Sequence, residues 1–180
     1  MYYTGIGARK TPDTILILMN DIANELARTG YTLRSGGADG ADTAFEDGCD
    51  YVDGKKEIYL PWKGFNDNPS NLYNISPEAY NAAEEIYGAR WRNIGVPVMK
   101  LMARNIHQVM GEGLDKPSDF IVCWTPDGCT TKNKRTTNTG GTGQAIAYGD
   151  INSVPTFNLK NNKDFERLMK YIDTIGVIEW

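Results

Sequence analysis

Short apolar runs alternate along the chain with longer stretches in which apolar residues recur every three or four positions. The runs at about 1–5, Tyr31–Arg34, Glu57–Trp62, Asp119–Trp124 and Val154–Leu159 read as strands. Between them, Ile15, Leu18, Ile22 and Leu26 follow Thr11-Pro12 at helical spacing and stop at Gly30, and Ala44, Phe45 and Cys49 mark the inner face of a second helix. Further helices are predicted over about 77–87, 97–110 and 164–175, with another opening at Gly140–Gly143. Strand–helix alternation of this kind predicts an α/β fold, a Rossmann-like parallel sheet flanked by helices, and 180 residues suit one domain over 1–180. Asp119–Trp124 is the most apolar run and is predicted to be the central strand. The segments 64–76, 88–95 and 125–139 read as loops or breaks, the first placed to reach over a site and the last basic.

Three glycine-rich turns follow strands and precede helices. They are Thr4-Gly5-Ile6-Gly7-Ala8-Arg9-Lys10-Thr11, Ser35-Gly36-Gly37-Ala38-Asp39-Gly40-Ala41-Asp42 and Thr139-Gly140-Gly141-Thr142-Gly143-Gln144. Such turns aim backbone N–H groups and the positive end of a helix at one spot, and glycine lets a phosphate approach the backbone. In a parallel sheet they converge at the strand C-termini, so together they predict a phosphate site with the 35–42 turn as its main cradle. None fits the dinucleotide GxGxxG pattern or the GxxxxGK[ST] phosphate loop.

Composition narrows the ligand. The net charge of −4 lacks the broad positive field that backbone binding of nucleic acid needs, so it ranks DNA below a small anion gripped by a local cluster. Cys49, Cys123 and Cys129 are odd in number and lack metal-type spacing, which suits a reducing cytoplasm and calls for no metal; no cofactor is called for either. No apolar run is long enough to span a membrane, and none of the N-terminal residues resembles an export signal.

Gly7-Ala8-Arg9-Lys10-Thr11 with Ser35-Gly36-Gly37-Ala38-Asp39-Gly40-Ala41-Asp42 resembles the paired motifs G-[ST]-R-x-x-[ST] and S-G-x-A-x-G-x-D of DNA-processing protein A (DprA). The same Rossmann-like superfamily, SLOG, includes the Lonely Guy phosphoribohydrolases and sensors of nucleotide signals, and the 140–143 turn is similar to its late motif. Chains of this length and motif order look like those of bacteriophages and mobile elements. The resemblance implies a nucleotide-derived ligand, an ADP-ribose derivative or a cyclic nucleotide, held by a homo-oligomer that would sequester it from immune signalling. Lonely Guy enzymes carry P-G-G-x-G-T-x-x-E; aligned from Gly140, this chain has Gln144 for the threonine and Ala147 for the glutamate. With that carboxylate missing, the chain reads as a binder that does not cleave, Asp42 and Glu46 being the substitutes for a hydrolase. Single-stranded DNA binding in the manner of DprA is the other alternative.

The expected ligand-binding set is Gly5, Gly7, Arg9, Lys10, Ser35, Gly36, Gly37, Ala38, Gly40, Asp42, Arg104, Asn105, Thr139, Gly140, Gly141, Thr142 and Gln144. Arg9 would pair bidentately with a phosphate. Asp42 fits either a ribose hydroxyl or the dipole of its own helix. Arg104, Asn105 and Gln108 share a helix face turned either to the crevice or to solvent. Arg90-Trp91-Arg92, Trp62 and Trp124 fit base stacking or plain packing. Lys132-Asn133-Lys134-Arg135 fits a phosphate lid or a solvated loop, and the lone His107 is assigned no catalytic role.

Overall fold

The computed structural model describes residues 1–176. Five strands, β1 (Tyr2–Gly7), β2 (Thr32–Ser35), β3 (Lys56–Ile58), β4 (Phe120–Trp124) and β5 (Thr156–Asn158), form one parallel sheet in the order β3-β2-β1-β4-β5. Around it lie α1 (Asp13–Arg28), α2 (Ala41–Asp50), α3 (Pro77–Tyr87), α4 (Val96–Met110), α5 (Thr142–Ile151) and α6 (Asn162–Gly176). The predicted elements are present. The centre of the sheet, however, is β1, with β4 beside it. β4 is buried at every residue because it has a strand on each side and helices on both faces, and apolarity alone does not tell the middle strand from its neighbour.

The pleat of β4 sorts the core into two layers. Phe120, Val122 and Trp124 point to one face, against Met19, Leu26 and Phe45 of α1 and α2 and Leu168 of α6. Ile121 and Cys123 point to the other, with Val109 of α4 and Ala145 and Ile146 of α5. Gly5 and Gly7 belong to this packing. A side chain at Gly5 would strike the Phe45 ring and one at Gly7 the Cβ of Ala41, so the glycines let α2 lie close on β1.

Strand β3 is shorter than the apolar run suggests. Past Ile58 the chain is tied by the Leu60 N–H to the Leu72 carbonyl, and a loop containing a short 3-10 turn at Phe65–Asp67 folds back along the sheet edge. Ser76 then caps α3 by accepting from the Ala79 N–H, with Pro77 at the first helical position.

His107 is buried between this loop and α4. Its Nε2 accepts the Ser76 N–H at 3.2 Å, so Nδ1 carries the proton and donates to the Gly111 carbonyl at 3.1 Å, while the ring stacks on Tyr59. Burial lowers its pKa. The unfolded chain, with an imidazole near 6.5, therefore takes up protons that the folded chain refuses, and stability falls as pH drops below about 6.5, with a limiting slope of about 1.4 kcal/mol per pH unit. Denaturant titrations from pH 7.5 to 5 are expected to show this loss in the native chain and to show less of it in His107→Gln. Parallel pH curves for the two would remove His107 as the cause.

Candidate functional site

The strand order reverses between β1 and β4, and their C-terminal ends lie side by side, Gly7 paired with Trp124 and the Ala8 N–H bonded to the Trp124 carbonyl at 3.2 Å. The chain leaves these two strands in different directions, and a crevice of about 480 Å³ opens where they part. One wall is the Gly7–Lys10 turn with Ala38 and Asp42. The facing wall is the Asn138–Thr142 segment with Pro126, and the floor is α4, through Leu101, Met102, Arg104, Asn105 and Gln108. The floor residues fall at i, i+3, i+4 and i+7 from Leu101, apart from Met102, which is one helical face.

The charges in the crevice are uneven. Among the described residues, Arg9, Lys10 and Arg104 line it against the one carboxylate of Asp42. Arg104 and Asp42 are both almost fully buried and form an ion pair at 3.6 Å, longer than a hydrogen bond. Burial pushes the Asp42 carboxyl up, opposed by Arg104 and by the Ala38 N–H, which donates to its Oδ2; burial likewise lowers Arg104. Two donors on the floor, Arg104 Nε and Gln108 Nε2, are buried with no acceptor. Unmet buried donors cost free energy, and an acceptor that reached them would relieve that cost.

The 35–42 turn works differently from the cradle the sequence predicts. A Cβ at Gly36 would sit where the Arg104 guanidinium and the Gln108 amide lie, so the room beside this glycine is filled by the protein's own cation. Ser35 is buried and donates to the Gly5 carbonyl at 2.7 Å. Gly37 faces Leu60 and Asn68. Gly40 takes a φ of 84° and lies against the Arg9 carbonyl, which lets the first and second turns touch. Of the predicted cradle, only Ala38 and Asp42 line the crevice; Gly36 lies against Arg104 and Gly40 against the Gly7–Lys10 turn.

The remaining expected residues divide in the same way. Gly7, Arg9, Lys10, Arg104, Asn105, Thr139, Gly140, Gly141 and Thr142 are brought together, with Arg9 and Lys10 exposed at the rim and Asn105 donating to the Gly141 carbonyl at 3.1 Å. Gly5 lies behind in β1. Gln144 lies outside the crevice and lines the neighbouring cavity behind the Gly140–Gly141 turn, its amide donating to the Ala83 carbonyl of α3 at 2.8 Å. Glu46 is held off the crevice by Lys56 at 2.8 Å and by Asn68, so the structure gives this substitute acid no place beside a ligand there. Ala147 is fully buried in the apolar seam of α3, α4 and α5 with Ala83 and Ile106. Trp91 packs on Tyr87, Trp62 on Phe65, and Trp124 is core, so none of them lines the crevice. The 64–76 loop packs outside the 35–42 turn, Asn66 donating to the Gly37 carbonyl, and does not reach over the site.

Leu101, Met102, Pro126 and Asn138 line the crevice without having been singled out in the sequence. The spacing of Leu101 with Arg104 and Gln108 was the available signal. The facing wall is braced by Asp127, which accepts from the Thr136 and Thr139 hydroxyls. Burial pushes its carboxyl up, but those hydrogen bonds outweigh it and bring the pKa down to about 2. Thr136 and Thr139 also form a reciprocal capping box, so the 125–139 segment is an organised loop.

No family model and no curated protein sequence matches the chain. Among solved structures, DNA processing protein A from Helicobacter pylori, described for its single-stranded DNA binding mode, superposes with a TM-score of 0.57 at 17% identity, over 97% of this chain and 80% of that one. The fold is DprA-like. This likeness corrects the ranking of DNA below other partners, because a DprA-like fold does serve single-stranded DNA in that protein. Net charge sums the whole chain and does not report a local excess such as that at the crevice, where among the described residues the cations outnumber the one carboxylate. Among the described residues, no helix is long and apolar enough to cross a membrane.

Proposed function

We propose that this chain binds single-stranded DNA by drawing one phosphate and its sugar into the crevice between the Gly7–Lys10 and Asn138–Thr142 walls. The observation that carries the reading is the crevice floor, where Arg104 Nε and Gln108 Nε2 are buried without acceptors beneath a rim bearing Arg9 and Lys10. Phosphate and sugar oxygens supply acceptors and negative charge together. The DprA-like fold supports the choice of polymer, and a crevice of about 480 Å³ has room for part of one strand and not for a duplex. The ligand is held and not cleaved: Asp42 is committed to Arg104, and Ala147 stands where the Lonely Guy motif has its acid. Buried free thiols at Cys49, Cys123 and Cys129 fit a reducing compartment.

Because few cations are involved, affinity should be modest and moderately salt-dependent, with log K falling against log salt at a slope of about −0.7 for each phosphate engaged. Fluorescence anisotropy with a labelled oligothymidylate at low salt is expected to show saturable binding, weaker for the same sequence as duplex and weaker still for Arg9→Gln. Absence of binding at low salt, or equal binding of duplex, would refute the proposal. A free nucleotide is the second reading, favoured by the walls on both sides of the crevice. It predicts that a nucleoside monophosphate displaces the oligomer completely and binds at least as tightly.

A further inference from the structure

A second cavity, of about 680 Å³, lies behind the Gly140–Gly141 turn. The two cavities share Met102, Thr139, Gly140 and Gly141, so the partition between them is a single turn of backbone. Two segments distant in sequence bring three cations to the second cavity: Arg90 from the 3-10 turn after α3, and Lys132 and Arg135 from the loop before α5. Among the described residues, no Asp or Glu lines it, and none of the three cations has a carboxylate partner. Like charges gathered around a concave surface without a counter-charge repel one another, and an anion there relieves that repulsion.

One of the three cations is fixed in place by the fold. Arg135 donates from Nη2 to the Ile86 carbonyl at 3.2 Å and from Nε to the Lys132 carbonyl at 3.3 Å, which fixes its guanidinium plane. Its stem passes over Gly143, where a side chain would strike both it and Thr139. Two acids beside the loop are engaged elsewhere, Asp127 with the Thr136 and Thr139 hydroxyls and Asp150 with the Lys132 N–H, while Glu84 and Glu85, the acids closest in sequence to Arg90, form no ion pair with it. The ten-residue helix α5 starts at the partition, so its positive end serves both sides of the Gly140–Gly141 turn.

We infer that this second cavity is a phosphate subsite, taking the phosphate next along the strand from the one held in the crevice, with the Gly140–Gly141 turn as a ridge between them. The inference rests on the proposed nucleotide-binding role of the crevice and adds that recognition spans two successive phosphates. Arg90 and Lys132 supply most of the attraction, and Arg135 sets the shape.

Thymidine 5′-monophosphate and thymidine 3′,5′-bisphosphate isolate the second phosphate, because they share one base and one sugar. Calorimetric titration of the native chain is expected to give about tenfold or more tighter binding of the bisphosphate, with a salt slope steeper by about 0.7. In Arg90→Gln/Lys132→Gln the tenfold gain and the extra slope both disappear. Arg90 is exposed and the Lys132 side chain makes no hydrogen bond, so the variant is expected to fold, which circular dichroism checks. If the monophosphate binds but the bisphosphate gains nothing, or gains equally in the variant, the subsite is wrong and the crevice reading stands. If the native chain binds neither, both fall.

Discussion

Arg104→Met is expected to lower the midpoint of thermal unfolding by roughly 10 °C and to abolish oligothymidylate binding, the largest combined loss from any single exchange in the crevice. Methionine keeps the apolar stem of the arginine and deletes only the guanidinium, so lost packing contributes little. What is lost is the partner of Asp42, a carboxylate as deeply buried as Arg104 itself. Breaking a buried ion pair from one side typically costs about 3–5 kcal/mol, because the remaining charge is stranded. Asp42 can limit that cost by taking up a proton. Burial already raises its pKa, and loss of Arg104 removes the strongest opposing influence.

The sign of the pH dependence follows. With its folded pKa raised above the unfolded value of about 3.9, Asp42 binds its proton more tightly in the folded chain, so the stability deficit of Arg104→Met is full at neutral pH and shrinks as pH falls toward 4. Asp42→Asn in the Arg104→Met background removes the stranded charge and should recover most of the lost stability at pH 7, without recovering binding. A deficit independent of pH, with no rescue by Asp42→Asn, would show that the pair is not what Arg104 contributes.

The parts of this molecule that local rules control were legible in the sequence. Helical spacing at Ile22 and Leu26 and the Gly30 stop located α1, and Ser76-Pro77 marked the start of α3. The face of α4 carrying Arg104, Asn105 and Gln108 was legible as a face, though periodicity could not say whether it met solvent or the crevice. The illegible parts depend on contacts between distant segments. Gln144 reads from its place beside three glycines as part of the crevice, but it lines the neighbouring cavity and its amide is bonded to Ala83, sixty-one positions away. Glu46 looked available until Lys56 and Asn68 were placed against it. The same holds for the 35–42 turn. A glycine that admits a phosphate and a glycine that admits the protein's own arginine look alike in sequence, since only the position of α4 decides which group arrives.

Gly36→Ala tests that distinction directly. The backbone at Gly36 is outside the left-handed region, since the positive-φ glycines of this turn are Gly37 and Gly40, so alanine meets no conformational penalty at position 36. Its methyl would collide with the ends of Arg104 and Gln108, both flexible groups that can be displaced while the chain still folds. The expected cost is therefore about 1–3 kcal/mol, the price of moving the guanidinium away from Asp42, together with most of the binding. In the Arg104→Met background the worst of the obstruction is gone and only the Gln108 amide still meets the methyl, so Gly36→Ala should cost about 1 kcal/mol or less, leaving a coupling energy that is most of the single-mutant effect. If Gly36→Ala is as damaging without the guanidinium as with it, the glycine is serving close approach of a ligand or of backbone, and the 35–42 turn returns to being the phosphate cradle its sequence suggests. Coupling that large makes it the socket for Arg104, and the phosphate then belongs to the Gly7–Lys10 and Asn138–Thr142 walls.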